Sequence, residues 1–178
     1  DQSSTIGGII ASNLAGSRRA FRGGVRDNLI GVEFINGSGE LIKSGGRVMK
    51  NVSGYDLCKL MAGSWGTLGI MTDVTLKTAP IMEKRRTLVI GGLTYDQVVK
   101  VFVTVSRSPF DPVAMAHLGQ ASAQALGMDK AATAIEIEGL EASVDYRTDQ
   151  LKDLIAEEIG PVEITTRDDA DAAVLWST

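Results

Sequence analysis

The sequence of 178 residues contains little cysteine and histidine and has no long apolar run. One cysteine, Cys58, excludes an internal disulfide, and together with one histidine, His117, it leaves few ligands for a structural zinc site. No apolar stretch approaches the roughly 20 residues that span a bilayer, and the opening DQSSTIGG lacks the basic and apolar regions of a signal peptide. These absences predict a cytoplasmic protein with no metal site and no transmembrane segment.

Composition and charge narrow the class of protein further. A hydrophobic fraction of 44% with 22% charged residues is ordinary for a globular chain, and a net charge of -4 is too mild to suggest nucleic acid as a partner. Residues 1–80 hold 14 of the 20 glycines and carry a net charge of +3, whereas residues 81–178 carry -7. This contrast predicts a domain boundary near Pro80.

The first part predicts a short helix, a hairpin, a second helix and a strand. TIGGIIASNLAG reads as a turn and helix, with Ser4 or Thr5 capping the amides near Gly7 and Gly8. LIGVEFING and GELIKSGGRV flank an Asn-Gly pair, a strong hairpin signal. GYDLCKLMAG has its apolar residues Leu57, Leu60 and Met61 at helical spacing before Gly63, and LGIMTDVTLKTAP alternates like a strand.

The second part predicts the order strand, helix, strand, strand, helix, strand. The segments are TLVIGGL, YDQVVKVFVTVSRS, PVAMAHL, TAIEIEGL, YRTDQLKDLIAEEIG and VEITTR, with ASAQALGM as a helical turn between the middle strands. In the first helix Val98, Val99, Phe102 and Val105 share one face, although their β-branched side chains leave a strand open. The second helix has Leu151, Leu154 and Ile155 on its apolar side. The order matches a ferredoxin-like sandwich.

Three glycines recur in GSWGTLGIM, at Gly63, Gly66 and Gly69. Each would weaken an ordinary helix or strand by roughly 0.5–1 kcal/mol relative to alanine. Two explanations compete: glycine supplies a positive φ at a bend, or its missing side chain lets the backbone approach another surface. The pair Gly7–Gly8 is also followed by small residues, so two such surfaces together would suit a phosphorylated cofactor.

The segments TIGGIIASNLAGSRR and RDNLIGVEFINGSGELIKSGGRVMKNVSGYDLCKLMAGSWGTLGIMTDVTLKTAP resemble the FAD-binding oxidoreductases of the vanillyl-alcohol oxidase and p-cresol methylhydroxylase type. Within that family, GRVMKNVSGYDLCKLMAGSWGTLGI is similar to the glycolate oxidase flavin subunits. SRRAFRGGVRD is more similar to their smaller FAD-binding subunit than to their catalytic one. The resemblance implies an α+β fold in which residues 1–80 are the second FAD-binding subdomain and residues 81–178 a ferredoxin-like cap or substrate domain, complete or not.

The resemblance also implies which residues meet FAD. They come from two segments and contribute backbone and small side chains: Thr5, Gly7, Gly8, Ala11, Ser12 and Asn13 from the first, and Gly66, Thr67, Gly69 and Ile70 from the second. On this interpretation, bulky residues at the glycines would collide with the cofactor. The catalytic residues are not identified by the resemblance.

The implied activity is oxidation of glycolate to glyoxylate by hydride transfer to flavin, in a complex with a catalytic flavin subunit and an iron-sulfur subunit. The implied location is cytoplasmic, with contact to the inner membrane face through partners left open.

Family members carry a glycine-rich pyrophosphate loop upstream, which these 178 residues lack. We therefore expect half a flavin site and weak or no FAD binding by this chain alone; a stoichiometric, tightly held flavin would contradict that. A stand-alone dehydrogenase for D-lactate or a similar acid, and a scaffold with a decayed flavin site, are the alternatives.

Several other residues allow a structural or a functional interpretation. The cluster Arg18, Arg19, Arg22 and Arg26 is either a solvated loop or a site for an anion or partner subunit, and it lacks the aromatic platform of an RNA-binding surface. In KNVSGYD, the residues Lys50, Asn51, Tyr55 and Asp56 favour a structural role, with Asp56 capping the following helix.

The single histidine, the single cysteine and the tryptophans complete the candidates. His117 would suit a base in hydroxy-acid oxidation, but its apolar strand favours a structural histidine. Cys58 lies on the apolar side of a predicted helix, which favours packing over covalent flavin attachment. Trp65 and Trp176 are interpreted as packing residues, with Trp65 also placed to flank the flavin.

Overall fold

A computed structural model describes residues 4–46 and 54–176. The chain divides into two compact units, Asp1–Pro80 and Ile81–Thr178. Within the described ranges, no helix is both long and apolar enough to cross a membrane.

The first unit is a small antiparallel sheet with helices. Its elements are α1 (Ile6–Ser12), α2 (Arg19–Arg22), α3 (Val25–Asn28), β1 (Leu29–Ile35), β2 (Leu41–Gly45), α4 (Leu57–Met61) and β3 (Ile70–Leu76). Strand β1 lies between β2 and β3 and is antiparallel to both. The predicted helices, hairpin and strand of this part are confirmed, whereas α2 and α3 were not predicted.

The hairpin turn is fixed by a side chain. Asn36 Oδ1 accepts hydrogen bonds from the backbone N–H groups of Ser38 and Glu40, both at 2.9 Å. Gly39 has φ +80°, a left-handed conformation that glycine adopts without a steric penalty. The Asn-Gly signal thus located the turn, and Gly39 rather than Gly37 takes the positive φ.

One face of this sheet carries the core of the first unit. Val32 and Phe34 of β1 pack with Ile10 of α1 and with Cys58 and Met61 of α4. Leu60 was predicted on the apolar side of α4, but its side chain is 56% exposed, so that assignment is wrong. Helix α4 has only five residues. Cys58 and Met61 are three positions apart and occupy its buried side, which leaves Leu60 on the exposed side.

The second unit has the order β4 (Lys84–Gly91), α5 (Tyr95–Arg107), β5 (Ala114–Leu118), α6 (Gln120–Ala125), β6 (Ala132–Gly139), α7 (Glu141–Ile159), β7 (Ile164–Asp168) and α8 (Asp169–Trp176). Its four strands pair antiparallel in the order β5-β6-β4-β7. This is the ferredoxin-like arrangement predicted from the sequence, with α6 inserted and α8 added. The helix α8 was not predicted.

The ambiguity between helix and strand at residues 95–107 is resolved as a helix. Thr94 and Gln97 form a reciprocal capping box, and Val98, Val101 and Val105 are buried. Val99 was assigned to the apolar face but is 61% exposed, so that assignment is wrong. Spacings of three and four residues from Val98 lead through Val101 to Val105, which places Val99 on the outer side.

The two faces of the second sheet are covered differently. Helices α5 and α7 pack on the face that includes Leu88 and Ile135. The opposite face carries Val89 and Ala134, which pack with Leu175 of α8. The predicted apolar side of α7 is confirmed, since Leu151 and Ile155 are fully buried and Leu154 is partly buried.

Candidate functional site

The two segments predicted to share a cofactor lie against each other in the first unit. The backbone N–H of Gly63 donates to Ile10 O at 3.0 Å, and that of Trp65 donates to Ala11 O at 2.9 Å. The turn after α4 thereby bonds to two carbonyls in the last turn of α1, of which that of Ile10 also accepts from the C-cap Asn13 N at 3.0 Å. We call the contact between residues 10–13 and 63–67 the junction.

The first turn of α1 lies away from the junction. Thr5 caps the helix, since its Oγ1 accepts from Gly8 N at 3.1 Å, as predicted. With a rise of about 1.5 Å per residue, Gly7 lies roughly 6 Å along the helix axis from Ala11. Thr5, Gly7 and Gly8 are exposed, so this end of α1 presents its backbone to the surface.

The predicted cofactor residues form an open surface. In the first segment Ala11, Ser12 and Asn13 are half-buried; in the second, Gly66 and Thr67 are exposed, Gly69 is half-buried and Ile70 is 70% exposed. The hydrogen bonds place Ala11 beside the turn that leads to Gly66 and Thr67. Whether these ten residues contact FAD stays a prediction.

The recurring glycines have two different causes. Gly63 and Gly66 adopt φ +88° and +74°, so both take the left-handed conformation that other residues rarely adopt. At Gly69 a side chain would collide with β1, because a Cβ there would lie 2.6 Å from Ile35 O and 2.8 Å from Phe34 Cδ2. The chain's own strand therefore accounts for the absence of a side chain at Gly69.

The polar side chains of both segments are bonded locally. Ser12 Oγ donates to Gly8 O at 2.7 Å, and Thr67 Oγ1 donates to Ser64 O at 2.6 Å. Asn13, in the left-handed conformation, accepts at Oδ1 from Arg26 N at 3.2 Å. These bonds fix the backbone of both segments.

Ser64 was not singled out in the sequence analysis. It lies between Gly63 and Trp65, whose backbone N–H groups bond to α1. Its side chain is 9% exposed, and its Oγ is buried without a hydrogen-bond partner among the described residues. Buried hydroxyls of this kind are commonly paired with an ordered water. Sequence offers little signal for it, because serine next to glycine is common in turns.

An apolar groove of about 290 Å³ lies on a different side of α1. It is lined by residues of α1, of the segment around α3 and of the end of β3, among them Ile6, Ile9, Ile10, Leu14, Val25 and Leu76. At 100° per residue, Ile6, Ile9 and Ile10 lie on the face opposite to Gly7, Gly8, Ala11 and Ser12. The groove is therefore distinct from the predicted cofactor surface.

The arginine cluster is helical rather than a loop, which corrects the loop interpretation. Gly24 N donates to Asp27 Oδ2 at 2.7 Å at the start of α3, and Lys59 Nζ of α4 donates to Arg26 O. Arg19, Arg22 and Arg26 are exposed. The Lys59 bond ties the segment to α4 and holds its backbone in place.

Cys58 and Asp56 have the structural roles predicted for them. Cys58 is 3% exposed and its Sγ lies 3.5 Å from Ser44 O; burial raises the pKa of the thiol, which keeps it protonated and unreactive. Asp56 caps α4 by accepting from Lys59 N at 3.1 Å. Lys50 and Asn51 lie outside the described residues, and Tyr55 is exposed.

The histidine and the tryptophans are placed as follows. His117 is half-buried on β5 of the second unit, with Nδ1 3.1 Å from Thr133 Oγ1 and its ring edge-on to Tyr95. This fits a structural histidine. Trp176 packs on the second unit and donates to Thr87 Oγ1 at 2.9 Å, as predicted. Trp65 lies within the junction and is 73% exposed, so its predicted packing role is wrong, and its role beside the flavin stays a prediction.

An ion pair with one fully buried member lies on the α8 face of the second sheet. Glu136 is fully buried, and its Oε1 lies 3.2 Å from Arg85 Nε. A cavity of about 390 Å³ opens at the end of this face nearest Gly91 and is lined by Val89, Gly91, Met128, Lys130, Glu163 and Thr165 among others. The described residues contain no cluster of three or more His, Cys, Asp or Glu side chains that could hold a metal ion.

Comparison with known proteins identifies the relatives of this chain. It is 48% identical over 79 residues to glycolate oxidase subunit GlcE of Escherichia coli (strain K12), covering 44% of this chain and 23% of that protein. It is 33% identical over 165 residues to glycolate oxidase subunit GlcD of Bacillus subtilis (strain 168), covering 93% of this chain and 33% of that protein. An uncharacterized FAD-linked oxidoreductase of Mycobacterium tuberculosis is 32% identical over 124 residues, 70% of this chain and 27% of that protein.

The chain is homologous to the FAD-linked oxidoreductases. This is the family predicted from the sequence. The chain spans about a quarter to a third of the length of these relatives. Other relatives are named D-lactate dehydrogenase, in Archaeoglobus fulgidus, and D-2-hydroxyglutarate dehydrogenase, in Xanthomonas citri. No family model matches the chain.

A solved structure confirms the fold. Alkyldihydroxyacetonephosphate synthase superposes with a TM-score of 0.71 at 16% identity, over 96% of this chain and 36% of that one. At that identity the likeness speaks for the fold alone. The predicted α+β fold, a second subdomain of the p-cresol methylhydroxylase type followed by a ferredoxin-like domain, is confirmed.

Proposed function

We propose that this chain is the second FAD-binding subdomain and the cap or substrate domain of an FAD-dependent 2-hydroxy-acid oxidoreductase. More specifically, we propose that it belongs to the FAD-binding subunit of a glycolate oxidase complex. The observation that carries this proposal is the 48% identity to a glycolate oxidase subunit, GlcE, together with 33% identity to a second, GlcD, across 93% of the chain.

The junction supports the cofactor part of this proposal. It brings small residues of α1 next to a glycine-rich turn. A dinucleotide needs such close backbone approach. The residues we propose to hold FAD are the ten predicted above, from Thr5 to Asn13 and from Gly66 to Ile70.

When bound, FAD supplies the chemistry by accepting a hydride from the substrate carbon that carries the hydroxyl. In the proposed role this chain's own residues bind and orient the cofactor. The backbone of Gly63 and Trp65 holds the turn onto α1, and the Asn13–Arg26 bond holds the end of α1 in its left-handed cap.

The proposed partners are the other glycolate oxidase subunits, a catalytic flavin subunit and an iron-sulfur subunit, and the proposed substrate of the complex is glycolate. The names of the relatives GlcE and GlcD support a multi-subunit assembly. The proposed location is the cytoplasm, with the inner membrane face reached through partners.

The second candidate is a stand-alone FAD-dependent dehydrogenase of D-lactate or a similar acid. It is favoured by the relative named D-lactate dehydrogenase, which is 35% identical over 106 residues, 60% of this chain. A non-catalytic scaffold is the third candidate. The two enzymatic candidates share the FAD site and differ in substrate and in dependence on partners.

The deciding experiment uses the protein encoded by the full gene, purified alone and together with co-expressed glycolate oxidase subunits. We expect bound FAD in the purified protein and glycolate-dependent dye reduction only when the partners are present. Turnover of D-lactate by the protein alone would replace the proposal with the second candidate. A protein that neither retains nor rebinds FAD would instead support the scaffold.

A further inference from the structure

Helix α5 has an apolar stripe on its outer side. Tyr95, Val99 and Val103 follow one another at four-residue spacing, and their side chains are 79%, 61% and 41% exposed. Valine lowers helix stability relative to alanine, and at an exposed position it gains no packing within the unit to offset that cost. Such a stripe is expected where another surface covers it.

The stripe lies on the side of α5 that faces away from α7. Thr104 Oγ1 donates to Glu158 Oε2 of α7 at 3.2 Å, whereas the ring of Tyr95 lies edge-on to His117 of β5. Strand β5 is at one edge of the second sheet, and among the described strands it pairs only with β6. Helix α5 and strand β5 together therefore form one side of the second unit, which we call the α5–β5 side.

Strand β5 lacks the residues by which exposed sheet edges usually avoid association. Its sequence, AMAHL, contains no lysine, no carboxylate and no proline. Strand β7, at the opposite edge of the sheet, carries Arg167 and Asp168. The α5–β5 side is thus the less protected of the two.

The negative charge of the second unit is concentrated away from the α5–β5 side. Residues 81–178 carry a net charge of -7, yet α5 and β5 together hold one acid, Asp96, and two bases, Lys100 and Arg107. Helix α7, by contrast, holds six acids and two bases. Two copies can therefore meet through α5 without the like-charge repulsion that α7 would impose.

The charges of α5 suit an antiparallel copy of the same helix. Asp96 lies in its first turn and Arg107 in its last, and both are exposed. When two copies cross antiparallel at the level of residue 101, Val99 of one copy lies level with Val103 of the other, and Asp96 comes near Arg107. A parallel arrangement would instead bring like charges together. The opposed helix dipoles favour the same antiparallel orientation.

We propose that a second copy of this chain docks on the α5–β5 side of the second unit, with its α5 antiparallel to the first. A twofold axis makes the contact the same for both copies. Val99 and Val103 form its apolar centre, and the two Asp96–Arg107 pairs lie at its rim and set the orientation. This interaction goes beyond the proposed function, since it involves neither FAD nor substrate.

Sedimentation velocity of the full-length protein, purified alone and studied over a range of concentrations, measures the Kd of the dimer. We expect a concentration-dependent dimer for wild type and only monomer for Val99→Glu, which places a carboxylate in the apolar centre twice. The matched control is Val174→Glu, the same change at a position of α8 that is 58% exposed, and it should leave the Kd of the dimer unchanged. Circular dichroism checks that each variant is folded. A wild-type protein that stays monomeric, or a dimer that Val99→Glu leaves intact, overturns the proposal.

Charge reversal tests the antiparallel orientation. Asp96→Arg and Arg107→Asp alone should each raise the Kd of the dimer about tenfold, because each brings like charges together, and the double variant should return it close to the wild-type value. Both changes oppose the dipole of α5, so an effect on helix stability alone would make the double variant the weakest dimer. A double variant that does not recover overturns the proposal. Association that Val99→Glu abolishes with a co-expressed glycolate oxidase subunit, but not with a second copy, overturns it as well.

Discussion

At the scale of single residues, the glycines of GSWGTLGIM separate into two groups. At positions 63 and 66 the backbone conformation favours glycine, since both residues have a positive φ. At position 69 packing requires glycine, since β1 occupies the space that a side chain would fill. The sequence allowed both explanations for all three residues, because spacing alone carries no information on φ or on what lies opposite.

Gly69→Ala is expected to destabilise the first unit by about 1–3 kcal/mol, the range for overpacking a close contact. The new Cβ would lie 2.6 Å from a backbone carbonyl, Ile35 O, which has little freedom to move. Urea unfolding of the 178-residue chain, followed by circular dichroism, measures the change. Gly37→Ala is the control, since that position is open and lacks a positive φ. Equal stabilities of the two variants would contradict this account.

The exposure of single side chains also depends on contacts with residues that are distant in the sequence. Trp65 is exposed although tryptophan usually packs, because the turn that contains it bonds to α1 through its backbone N–H and directs the side chain outward. Glu136 is fully buried although it alternates with isoleucine in a strand, a pattern that predicts a solvent-facing carboxylate. Arg85, across the sheet on β4, makes that burial tolerable by pairing with it.

At the scale of elements, the second unit is joined by an ion-pair network. Arg86 of β4 bonds both carboxylate oxygens of Asp168 on β7, at 2.6 and 2.9 Å, and bonds Asp145 of α7 at 2.6 Å. Lys84 bonds Glu141 at the start of α7. The network ties the first strand to the last strand and to the long helix.

The network predicts a pH dependence of stability. The hydrogen bonds from Arg86 hold the pKa of Asp168 below its ordinary value. The folded chain therefore binds the Asp168 proton less readily than the unfolded chain, so the pair stabilises the fold above the unfolded carboxyl pKa of about 3.9, and the contribution is lost as the pH falls through the folded value.

Asp168→Asn is the variant that checks this dependence. It is expected to be less stable than wild type near neutral pH, with a difference that shrinks as the pH falls below about 4. Urea unfolding at several pH values measures the difference. Asp153→Asn, at an exposed position of α7, is the control and should leave stability nearly unchanged. A stability difference for Asp168→Asn that stays constant across the pH range would exclude the ion pair as its cause.

Elements with strong local signals were predicted, and those without were missed. The capping box of Thr94 and Gln97 and the Asx turn at Asn36 each depend on residues within four positions of one another. The helices α2 and α3 have four residues each and are separated by Gly23 and Gly24, so neither is long enough to show a helical periodicity. Helix α8 is stabilised by contact with the sheet through Leu175 and Trp176, which a sequence window does not include.

At the scale of the whole molecule, each unit has a core of its own. The core of the second unit includes Leu88, Ile90, Ile135, Ile137 and Leu151, all fully buried and all within residues 81–178. Its four strands form one sheet, and α5 and α7 cover one face. Such a unit meets the requirements for folding alone.

Residues 81–178, expressed alone, are expected to fold. The circular dichroism spectrum should show mixed helix and strand, and heating should give one cooperative transition close to a transition of the 178-residue chain. The control is the same measurement on the 178-residue chain. A spectrum typical of an unfolded chain, or a broad non-cooperative loss of signal, would show that the second core needs the first unit.

The sequence by itself determined the order of most helices and strands, the hairpin turn, the capping residues and the family resemblance. Each depends on residues that are near in the chain or on a long ordered match, and local backbone energetics suffices to place them. The tertiary structure alone decided the contact of Ile10 with Gly63, the packing cause of Gly69, and the burial of Glu136 and of the Ser64 hydroxyl. These depend on which distant residues meet, because burial and close approach are properties of the packed chain and not of any short segment.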